Sequence, residues 1–519
     1  MGAVSDYVIV GGGSAGCVMA ARLSEDPSVT VTLVEAGGRA RNPLLHVPAG
    51  LAEVLGNRIA DWNYETGPQA GLDGRRLRWP RGRVLGGSSA INAMCYARGD
   101  LSDYDDWGHG WSGAEALHLF KASESHSEGV SQWHGDEGPL RVTRPAWVHP
   151  ATRTYLAAGA GAGHRIVEDF AAPDREGVGI FDTTTHRGLR CSAARAYLPP
   201  KVQARPNLTI LTNRQVTRLL LDGTRAAGLE AEGEEIVGRE VVLCAGAIGT
   251  PHLLMLSGIG PADHLRDHGI GVVHDAPGVG GNLQDHLDIN SMILTRPGSA
   301  IGYAPGFLWQ GLRAPWDWLR SRTGLLASNL AEGNGFARSR DDLDRPDIQF
   351  HFLPALGDEH GANRNWGATG VSLHACGLYP RSRGTIRLAS ADPRTAPAID
   401  PNYLSDEADL DVLVAGARMA ADILEQAAFD DIRLGWLKPA ARPETRDEWE
   451  ASIRARAESI YHPVGTAAMG EVTDGDGRVV GIDGLRVVDA SLMPTIVGGN
   501  TNAPVIMMAE RIARRMRAA

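Results

Sequence analysis

Three glycines and one acid near the start of the chain have the types and the spacing that hold a pyrophosphate. Gly11, Gly13 and Gly16 form G-x-G-x-x-G, and Glu35 follows further along the chain. In this pattern the first glycine permits a tight turn, the second lets the backbone approach the phosphates, and the third lets a helix pack closely. The acid can accept hydrogen bonds from a ribose. The pattern predicts a site for an ADP-containing dinucleotide, and it does not decide between FAD and NAD.

The residues around this motif supply the elements that would position it. Residues 7–35 are typical of a β-strand, a glycine turn, a helix and a second strand that ends in the acid. The start of that helix would present unpaired N–H groups and about half a positive charge to the phosphates. Residues 240–246 form an apolar run that suits a buried parallel strand, and residues 209–220 and 228–238 are predicted strands that lead to it.

The middle of the chain has a different pattern, which predicts a second domain. Residues 348–353, 371–379 and 385–388 favour antiparallel strands with one face covered, and residues 409–424 and 446–456 have helical periodicity. After residue 457 the glycine-rich pattern returns. We therefore predict an α/β fold with two parts: a discontinuous Rossmann-like domain (1–155, 203–292 and 457–519) and an inserted α+β domain with an antiparallel sheet (156–202 and 293–456). A cleft between the two is where a small molecule would bind.

Composition narrows the class of protein. The chain has 519 residues and a formal net charge of −11, which argues against a nucleic-acid partner. No run of 18 apolar residues occurs, so no integral membrane anchor is expected. The five cysteines are scattered without metal-ligand spacing, which predicts no metal site and a reduced, cytoplasmic setting. Composition says nothing about the oligomeric state.

Three further regions carry a family resemblance. They are residues 82–92 (GRVLGGSSAIN), residues 246–260 (GAIGTPHLLMLSGIG), and a C-terminal set made of residues 461–466, 488–491 and 499–502. Together with the N-terminal turn they resemble the glucose–methanol–choline (GMC) oxidoreductases, which are FAD-dependent. The resemblance spans essentially the whole chain. Residues 278–286 and 382–388 are similar to the choline-dehydrogenase-like and alcohol-oxidising branch.

The resemblance implies a set of FAD-binding residues. The ADP part of FAD would be held by Gly11, Gly13, Ser14, Ala15, Gly16, Glu35 and Ala36, with Val216 at the adenine. The pyrophosphate and flavin would lie along Trp62, Gly86, Asn92, Ala93 and Met94. Asp489 and Ala490 would lie near the ribityl chain, with Asn502 as a further contact. Some relatives attach the flavin through a histidine. Ile91 stands at that position here, so we expect FAD to bind without a covalent link.

The resemblance also implies the catalytic pair. Oxidising an alcohol removes a proton from oxygen and a hydride from carbon, and histidine, with an ordinary pKa of about 6.5, is the natural base. His462 is the candidate, and Pro463 favours an extended backbone there. Asn500 matches the second active-site position, where an amide can donate to the substrate oxygen. Residues 504–516 predict a helix whose start faces the flavin and whose Arg511, Arg514 and Arg515 lie in solvent.

The substrate side is less defined by sequence. The residues expected to line it are Glu332, His351, Leu353, Trp366, Ile460 and Tyr461, with Gln349 and Phe352 nearby. Residues 307–319 could be an amphipathic lid, a peripheral membrane contact or ordinary domain packing, and Pro315 is expected to interrupt a long helical face.

The expected reaction is oxidation of a primary alcohol to an aldehyde, with oxygen or another electron acceptor. Two alternatives remain open at this point. The first is a non-redox or photochemical flavoprotein on the same scaffold, of the hydroxynitrile lyase or photodecarboxylase type. The second is an NAD-dependent dehydrogenase.

Overall fold

The computed structural model of the chain describes residues 4–302, 308–357 and 365–518, with the side chains of residues 308–310 excluded. The helices in these ranges are α1 (Ser14–Leu23), α2 (Leu51–Gly56), α3 (Leu101–Asp106), α4 (Gly113–Ser123), α5 (Pro150–Gly161), α6 (Ala193–Tyr197), α7 (Pro200–Gln203), α8 (Gly246–Leu256), α9 (Ala262–Asp267), α10 (Leu308–Ser321), α11 (Glu407–Leu424), α12 (Arg446–Arg456) and α13 (Asn502–Ala518).

The strands are, in chain order, β1 (Ser5–Val10), β2 (Val31–Glu35), β3 (Tyr64–Glu65), β4 (Arg78–Trp79), β5 (Cys95–Tyr96), β6 (Glu124–His126), β7 (Leu140–Val142), β8 (Ile166–Val167), β9 (Gly177–Ile180), β10 (Asp182–Thr183), β11 (Thr185–His186), β12 (Leu189–Arg190), β13 (Leu208–Thr212), β14 (Val216–Asp222), β15 (Arg225–Ala231), β16 (Glu234–Leu243), β17 (Ile259–Gly260), β18 (His274–Asp275), β19 (Leu287–Thr295), β20 (Gly333–Ala337), β21 (Ile348–Leu353), β22 (Gly370–Gly377), β23 (Thr385–Arg387), β24 (Ala398–Asp400), β25 (Arg433–Lys438), β26 (Glu458–Ser459) and β27 (Leu485–Val487).

The N-terminal strand lies in the middle of a sheet of seven strands. Its order is β13-β2-β1-β16-β15-β14, and β27 also pairs with β16. The strands β13, β2, β1, β16 and β27 are parallel, whereas β14, β15 and β16 form an antiparallel meander. All five residues of β2 are buried, as expected for a parallel strand that is covered on both faces. The Rossmann-like prediction is confirmed.

The second sheet has eight strands in the order β25-β19-β22-β21-β20-β9-β8, with β26 also paired to β19. Apart from the parallel pair β8 and β9, its strands are antiparallel, as predicted. The expectation of one covered face is wrong, because β21 and β22 are buried at every position except the last. Helix α11 packs against one side of this sheet, and the other side closes the active-site cavity described below.

Three local predictions are corrected. The single strand expected over residues 209–220 divides into β13 and β14, because Asn213 between them has φ of +58°. The strand at Thr385–Arg387 joins only Ala398–Asp400 in a separate small sheet. Pro315 does not interrupt α10, which continues through it to Ser321, while Phe307 at the start of the predicted segment lies outside the described residues.

Two helices, α1 and α13, bring their N-termini to the same place. Arg22 of α1 forms a bidentate ion pair with Glu510 of α13: Nε donates to Oε2 at 2.9 Å and Nη2 to Oε1 at 2.7 Å. The Glu510 side chain is fully buried. At the N-terminal ends, the Ser14 hydroxyl donates to Asn502 Oδ1 at 2.7 Å. The shared position of the two helix starts concentrates unpaired backbone N–H groups at one point.

The terminal helix differs from its prediction in one respect. Arg511 is buried rather than in solvent: its guanidinium lies 4.0 Å from the centroid of the Trp111 ring and 2.9 Å from Glu115. Arg514 and Arg515 are exposed, as expected. Across the described ranges, none of the helices has the length and apolar character needed to cross a membrane.

Candidate active site

A cavity of about 870 Å³ is bordered by residues of both large sheets. Val10, Val34 and Cys244 line it from the carboxyl ends of the parallel strands, and Asp288 and His374 line it from the antiparallel sheet. In open α/β sheets a nucleotide binds outside the carboxyl ends of the strands, where the order of the strands reverses. The cavity lies at this position.

The glycine turn has no room for a side chain at Gly11 or Gly16. A Cβ added to Gly16 would lie 1.9 Å from the Gly11 carbonyl oxygen, and one added to Gly11, at φ +94°, would lie 2.6 Å from the Cys244 carbonyl oxygen. Gly13 precedes α1 and gives it no side-chain cap, so the first N–H groups of the helix remain available. A Cβ on Gly13 would find only ordinary contacts at 3.9 Å, which leaves the room that a pyrophosphate needs. The turn therefore fits the phosphates of a dinucleotide.

Glu35 lies at the end of β2 and is almost fully buried. Its Oε2 accepts from the Gly12 N–H at 2.8 Å, and its Oε1 accepts from the Gly37 N–H at 2.7 Å. Burial raises the pKa of the Glu35 carboxyl to about 7, against the opposing effect of these two hydrogen bonds. Each oxygen keeps a second lone pair for a ribose hydroxyl.

The second glycine-rich segment lies directly beside the first. The Gly86 N–H donates to the Gly12 carbonyl at 2.7 Å, and a Cβ on Gly87 would lie 2.6 Å from Gly13 Cα. Asn92 is held by Arg190, whose Nη1 donates to Asn92 Oδ1 at 2.8 Å. Burial lowers the pKa of Arg190 to about 9. This close packing places Asn92, Ala93 and Met94 along the cavity wall.

The C-terminal segment closes the cavity from the other side. Asp489 Oδ2 accepts from the Gly246 N–H at 2.8 Å and from the Thr250 hydroxyl at 2.6 Å, which ties this segment to the start of α8. Its Oδ1 accepts from the Ser491 N–H at 2.8 Å. Burial raises the pKa of the Asp489 carboxyl, and these hydrogen bonds oppose the rise.

His462 and Asn500 meet on the cavity wall. The Asn500 Nδ2 atom lies 3.4 Å from His462 Nε2. On its other side, Asn500 Oδ1 accepts from Gln349 Nε2 at 3.3 Å, and the same Gln349 nitrogen donates to Asn334 Oδ1 at 3.1 Å. Because Oδ1 of Asn500 is occupied by a donor, its Nδ2 is the atom directed at His462.

A second histidine fixes which nitrogen of His462 carries the proton. His286 Nε2 lies 2.9 Å from the Leu378 carbonyl, which can only accept, so this nitrogen must donate. Burial lowers the pKa of His286 to about 4, so at neutral pH its Nδ1 has no proton. That Nδ1 lies 3.0 Å from His462 Nδ1, which must therefore be the donor. The Nε2 atom of His462, next to Asn500, is left as a proton acceptor.

The backbone at His462 is held under strain by its neighbours. Tyr461 has φ of +68°, an unfavourable conformation that costs about 1–3 kcal/mol and persists only where surrounding contacts enforce it. Asp285 Oδ1 accepts from the His462 N–H at 2.7 Å, and Arg81 donates to the Tyr461 carbonyl. Burial raises the pKa of Asp285 to about 6, although its hydrogen bonds oppose the rise. These contacts turn the His462 ring toward the cavity.

The electrostatic environment keeps His462 neutral. Its pKa is lowered well below the ordinary value of 6.5, first by burial and then by the neighbouring His286, His351 and Arg81. A neutral imidazole with a bare Nε2 is the form that can accept a proton.

The structure brings most of the predicted site residues together. The cavity is lined by the predicted catalytic residues His462 and Asn500 and by four predicted substrate contacts, His351, Leu353, Ile460 and Tyr461. It is also lined by these predicted cofactor contacts: Gly11, Gly13, Ser14, Ala15, Glu35, Ala36, Trp62, Asn92, Ala93, Met94, Val216, Asp489, Ala490 and Asn502.

Four predicted site residues are not among those that line the cavity. Gly16 and Gly86 lie behind it, where they allow the glycine segments to pack. Glu332 is buried elsewhere, and its oxygens accept from the Ser328 hydroxyl, the Thr152 hydroxyl and the His149 N–H. Trp366 is 73% exposed. A substrate role for Glu332 and Trp366 is not supported by these positions.

Sequence reasoning missed several residues that shape the site. His286 and Asp285 orient His462, and Asp288 forms a 2.5 Å pair with His374 on the cavity wall. The signal was present in residues 284–288 (QDHLD), a polar run at the start of a strand. Consecutive polar residues directly before a buried strand indicate a site, because buried polar groups need hydrogen-bond partners.

This fold and this cavity define a dinucleotide-dependent protein with a neutral histidine and an amide on the wall of its cofactor cavity. Comparisons with known proteins agree. The GMC oxidoreductase family model matches residues 5–288 with its N-terminal part and residues 380–509 with its C-terminal part.

Whole-chain relatives support the same assignment. "Alcohol dehydrogenase [acceptor]" of Pseudomonas putida is 44% identical over 98% of this chain and 95% of its own length. The mitochondrial choline dehydrogenase of Mus musculus is 42% identical over 98% of this chain and 88% of its own. The crystal structure of pyridoxine 4-oxidase from Mesorbium loti superimposes with a TM-score of 0.89 at 34% identity, covering 99% of each chain.

The chain belongs to the GMC oxidoreductase family. It is a FAD-dependent oxidoreductase, and the tight glycine turn, the uncapped start of α1 and the cavity of about 870 Å³ fit that cofactor. The NAD-dependent alternative is removed by this assignment. The non-redox and photochemical alternatives are not favoured, because these relatives are named as dehydrogenases and an oxidase.

Proposed function

We propose that this protein oxidises a primary alcohol to an aldehyde, with His462 as the base and Asn500 as the group that orients the alcohol oxygen. The observation that carries the proposal is the meeting of His462 Nε2 and Asn500 Nδ2 at 3.4 Å on the cavity wall. Bound FAD supplies the acceptor for the hydride that leaves the alcohol carbon. It would be held by the cofactor contacts that line the cavity, and Ile91 supports binding without a covalent link.

The protein's own residues handle the proton. His462 Nε2 accepts the hydroxyl proton, while Asn500 Nδ2 donates to the same oxygen and stabilises its developing negative charge. The resulting imidazolium keeps its Nδ1–H directed at His286 Nδ1, 3.0 Å away. His286 can accept that hydrogen bond because its own proton is on Nε2. The histidine pair therefore holds the base in one tautomer before and after proton transfer.

We propose an uncharged alcohol rather than a choline-type cation as the substrate. A permanent cation needs a carboxylate or an aromatic cage for recognition. Asp288 lines the cavity but is paired with His374 at 2.5 Å, and Glu332 is held by three donors outside the cavity lining. Leu353 and Ile460 provide apolar cavity wall for an uncharged substrate. The product would be an aldehyde, and the electron acceptor would be oxygen or another molecule.

We further propose the two-part division of the chain given by the sequence, and a cytoplasmic location. The division is supported by the two large sheets, because all strands of the first sheet come from the predicted Rossmann-like segments and most strands of the second come from the inserted segments. Strand β19 crosses the predicted boundary at residue 292, and β26 lies in the C-terminal segment. The location is supported by the five cysteines, all of which are buried and free.

An anaerobic alcohol screen tests the function. The FAD-loaded protein is mixed with uncharged primary alcohols of increasing chain length and, separately, with choline, and loss of the flavin absorbance is recorded. We expect bleaching by uncharged alcohols and little by choline. Bleaching by choline alone would overturn the substrate class, and no bleaching by any alcohol would overturn the function. Repeating the reaction in air with peroxide detection identifies whether oxygen is the acceptor.

A further inference from the structure

Helix α10 carries apolar side chains on its outer surface. Leu312, Trp316 and Leu319 are 62%, 67% and 62% exposed. Their spacing of four and three residues places them on one side of the helix, where they form a continuous row. We call these three residues the exposed stripe. Single exposed apolar residues are ordinary on a protein surface, but three in a row on one helix face indicate an interaction surface.

The opposite side of α10 faces the protein. Gly311, Ala314 and Pro315 line the active-site cavity, and Trp318 Nε1 donates to the Gly188 carbonyl at 2.8 Å. Pro315 is also exposed, so it lies at the rim of the cavity. The helix is therefore anchored by its inner face, and the exposed stripe is directed outward beside the cavity entrance.

Positive charge lies next to the exposed stripe. Arg313 and Arg320 are exposed and lie beside the exposed stripe on the helix surface. Arg322 follows just beyond the helix, and the sequence of α10 contains one acid, Asp317. The exposed stripe therefore lies beside a local excess of arginine, although the whole chain has a net charge of −11. Because salt screens charges beyond about 8 Å, the local arginines rather than the total charge decide what this helix attracts.

We propose that α10 docks on an anionic membrane surface, with the exposed stripe in the lipid headgroup region. Tryptophan and leucine on one helix face and arginine beside them are the composition of helices that lie in a bilayer interface. Each arginine near an anionic surface adds attraction. A symmetric contact with a second copy of the chain is disfavoured, because it would bring the same arginines of both copies together. The docked helix would place the cavity rim at Pro315 next to the lipid.

Vesicle sedimentation of the FAD-loaded protein tests the proposal. The probes are vesicles of equal parts phosphatidylglycerol and phosphatidylcholine, and vesicles of phosphatidylcholine alone. We expect the protein to sediment with the anionic vesicles and more weakly with the neutral ones. The Arg313→Gln/Arg320→Gln double variant should bind anionic vesicles about 25-fold more weakly, since each arginine contributes about fivefold.

A triple variant, Leu312→Ser/Trp316→Ser/Leu319→Ser, tests the stripe itself and should lose vesicle binding. Val130→Ser is the matched control, because Val130 is 68% exposed on a distant part of the sequence, and it should bind normally. Flavin content and turnover of a water-soluble alcohol should be unchanged in all variants, since none of these side chains lines the cavity.

Three results would overturn the proposal. The wild-type protein could stay in solution with anionic vesicles, or the triple variant could sediment as the wild type does. Light scattering could instead show a wild-type dimer that the triple variant disrupts, without vesicle binding by either, and the partner would then be a second copy of the chain.

Discussion

Replacing His286 with leucine is expected to slow alcohol oxidation by about 5- to 150-fold while leaving FAD bound. His286 Nδ1 is the acceptor for His462 Nδ1–H at 3.0 Å, and leucine removes that acceptor. A buried donor left without a partner costs about 1–3 kcal/mol, and each 1.4 kcal/mol is a factor of about ten. The proton of His462 is then no longer confined to Nδ1, so a fraction of the base is in the wrong tautomer.

The assay is the anaerobic rate of flavin bleaching by a saturating alcohol. The effect should fall on kcat rather than KM, because His286 is not among the residues that line the cavity. Asparagine is the matched control: its side-chain oxygen can replace Nδ1 as an acceptor, so His286→Asn should retain more activity than His286→Leu. Nitrogen NMR of labelled histidine should show the Nδ1–H form of His462 in the wild type and a mixture in the leucine variant. A leucine variant with wild-type kcat and full FAD content would refute the reasoning.

Three further predictions rest on the contacts of single residues. The acid limb of the kcat/KM profile should lie below pH 6.5, because the pKa of His462 is lowered, and a limb above pH 6.5 would contradict this. Gln349→Glu should lower kcat and change the kcat pH profile, because a carboxylate cannot donate to Asn500 Oδ1; Gln349→Leu with normal kcat would contradict a positioning role. Side-chain hydrogen bonds to Asp169 and Glu124 raise the pKa of His134 to about 9, although burial opposes them. Protonated His134 therefore stabilises the fold fully below about pH 6.5, and this stabilisation is lost as the pH rises through 9. The melting temperature should therefore fall over this range, and less so in His134→Gln.

The nucleotide-binding end of the site could be predicted almost completely from the sequence. Gly11, Gly13 and Glu35 act through backbone geometry, and a short local pattern records that geometry. The strand and helix order around them followed for the same reason. The helix at Arg446–Arg456 was also predicted at its observed bounds, because its periodicity and its Thr445 cap are local.

The hydrogen bonds that surround His462 and Asn500 could not be predicted in this way, although Gln349 was expected near the substrate. His286, Gln349 and Asn334 come from three different parts of the chain, and their contacts exist only after the antiparallel sheet has formed. Glu332 illustrates the opposite error. The sequence predicted a substrate contact at Glu332, but its carboxylate accepts hydrogen bonds from the Thr152 and Ser328 hydroxyls inside the fold.

Proline in α10 shows a third limit of sequence reasoning. Pro315 was expected to interrupt the helix, but α10 continues through it, with Gly311, Ala314 and Pro315 along the cavity. Tertiary contacts such as the Trp318 hydrogen bond to Gly188 offset the lost backbone hydrogen bond. The exposed stripe depends on this continuation, because an interrupted helix would not align its three apolar side chains on one face.

The most direct test of the account is the single-turnover rate of flavin bleaching by an alcohol in His462→Gln with FAD bound. If His462 is the base, the rate should fall by about 10²–10⁴-fold, the usual contribution of a positioned general base. A variant that keeps its FAD and is bleached at the wild-type rate would contradict the central claim.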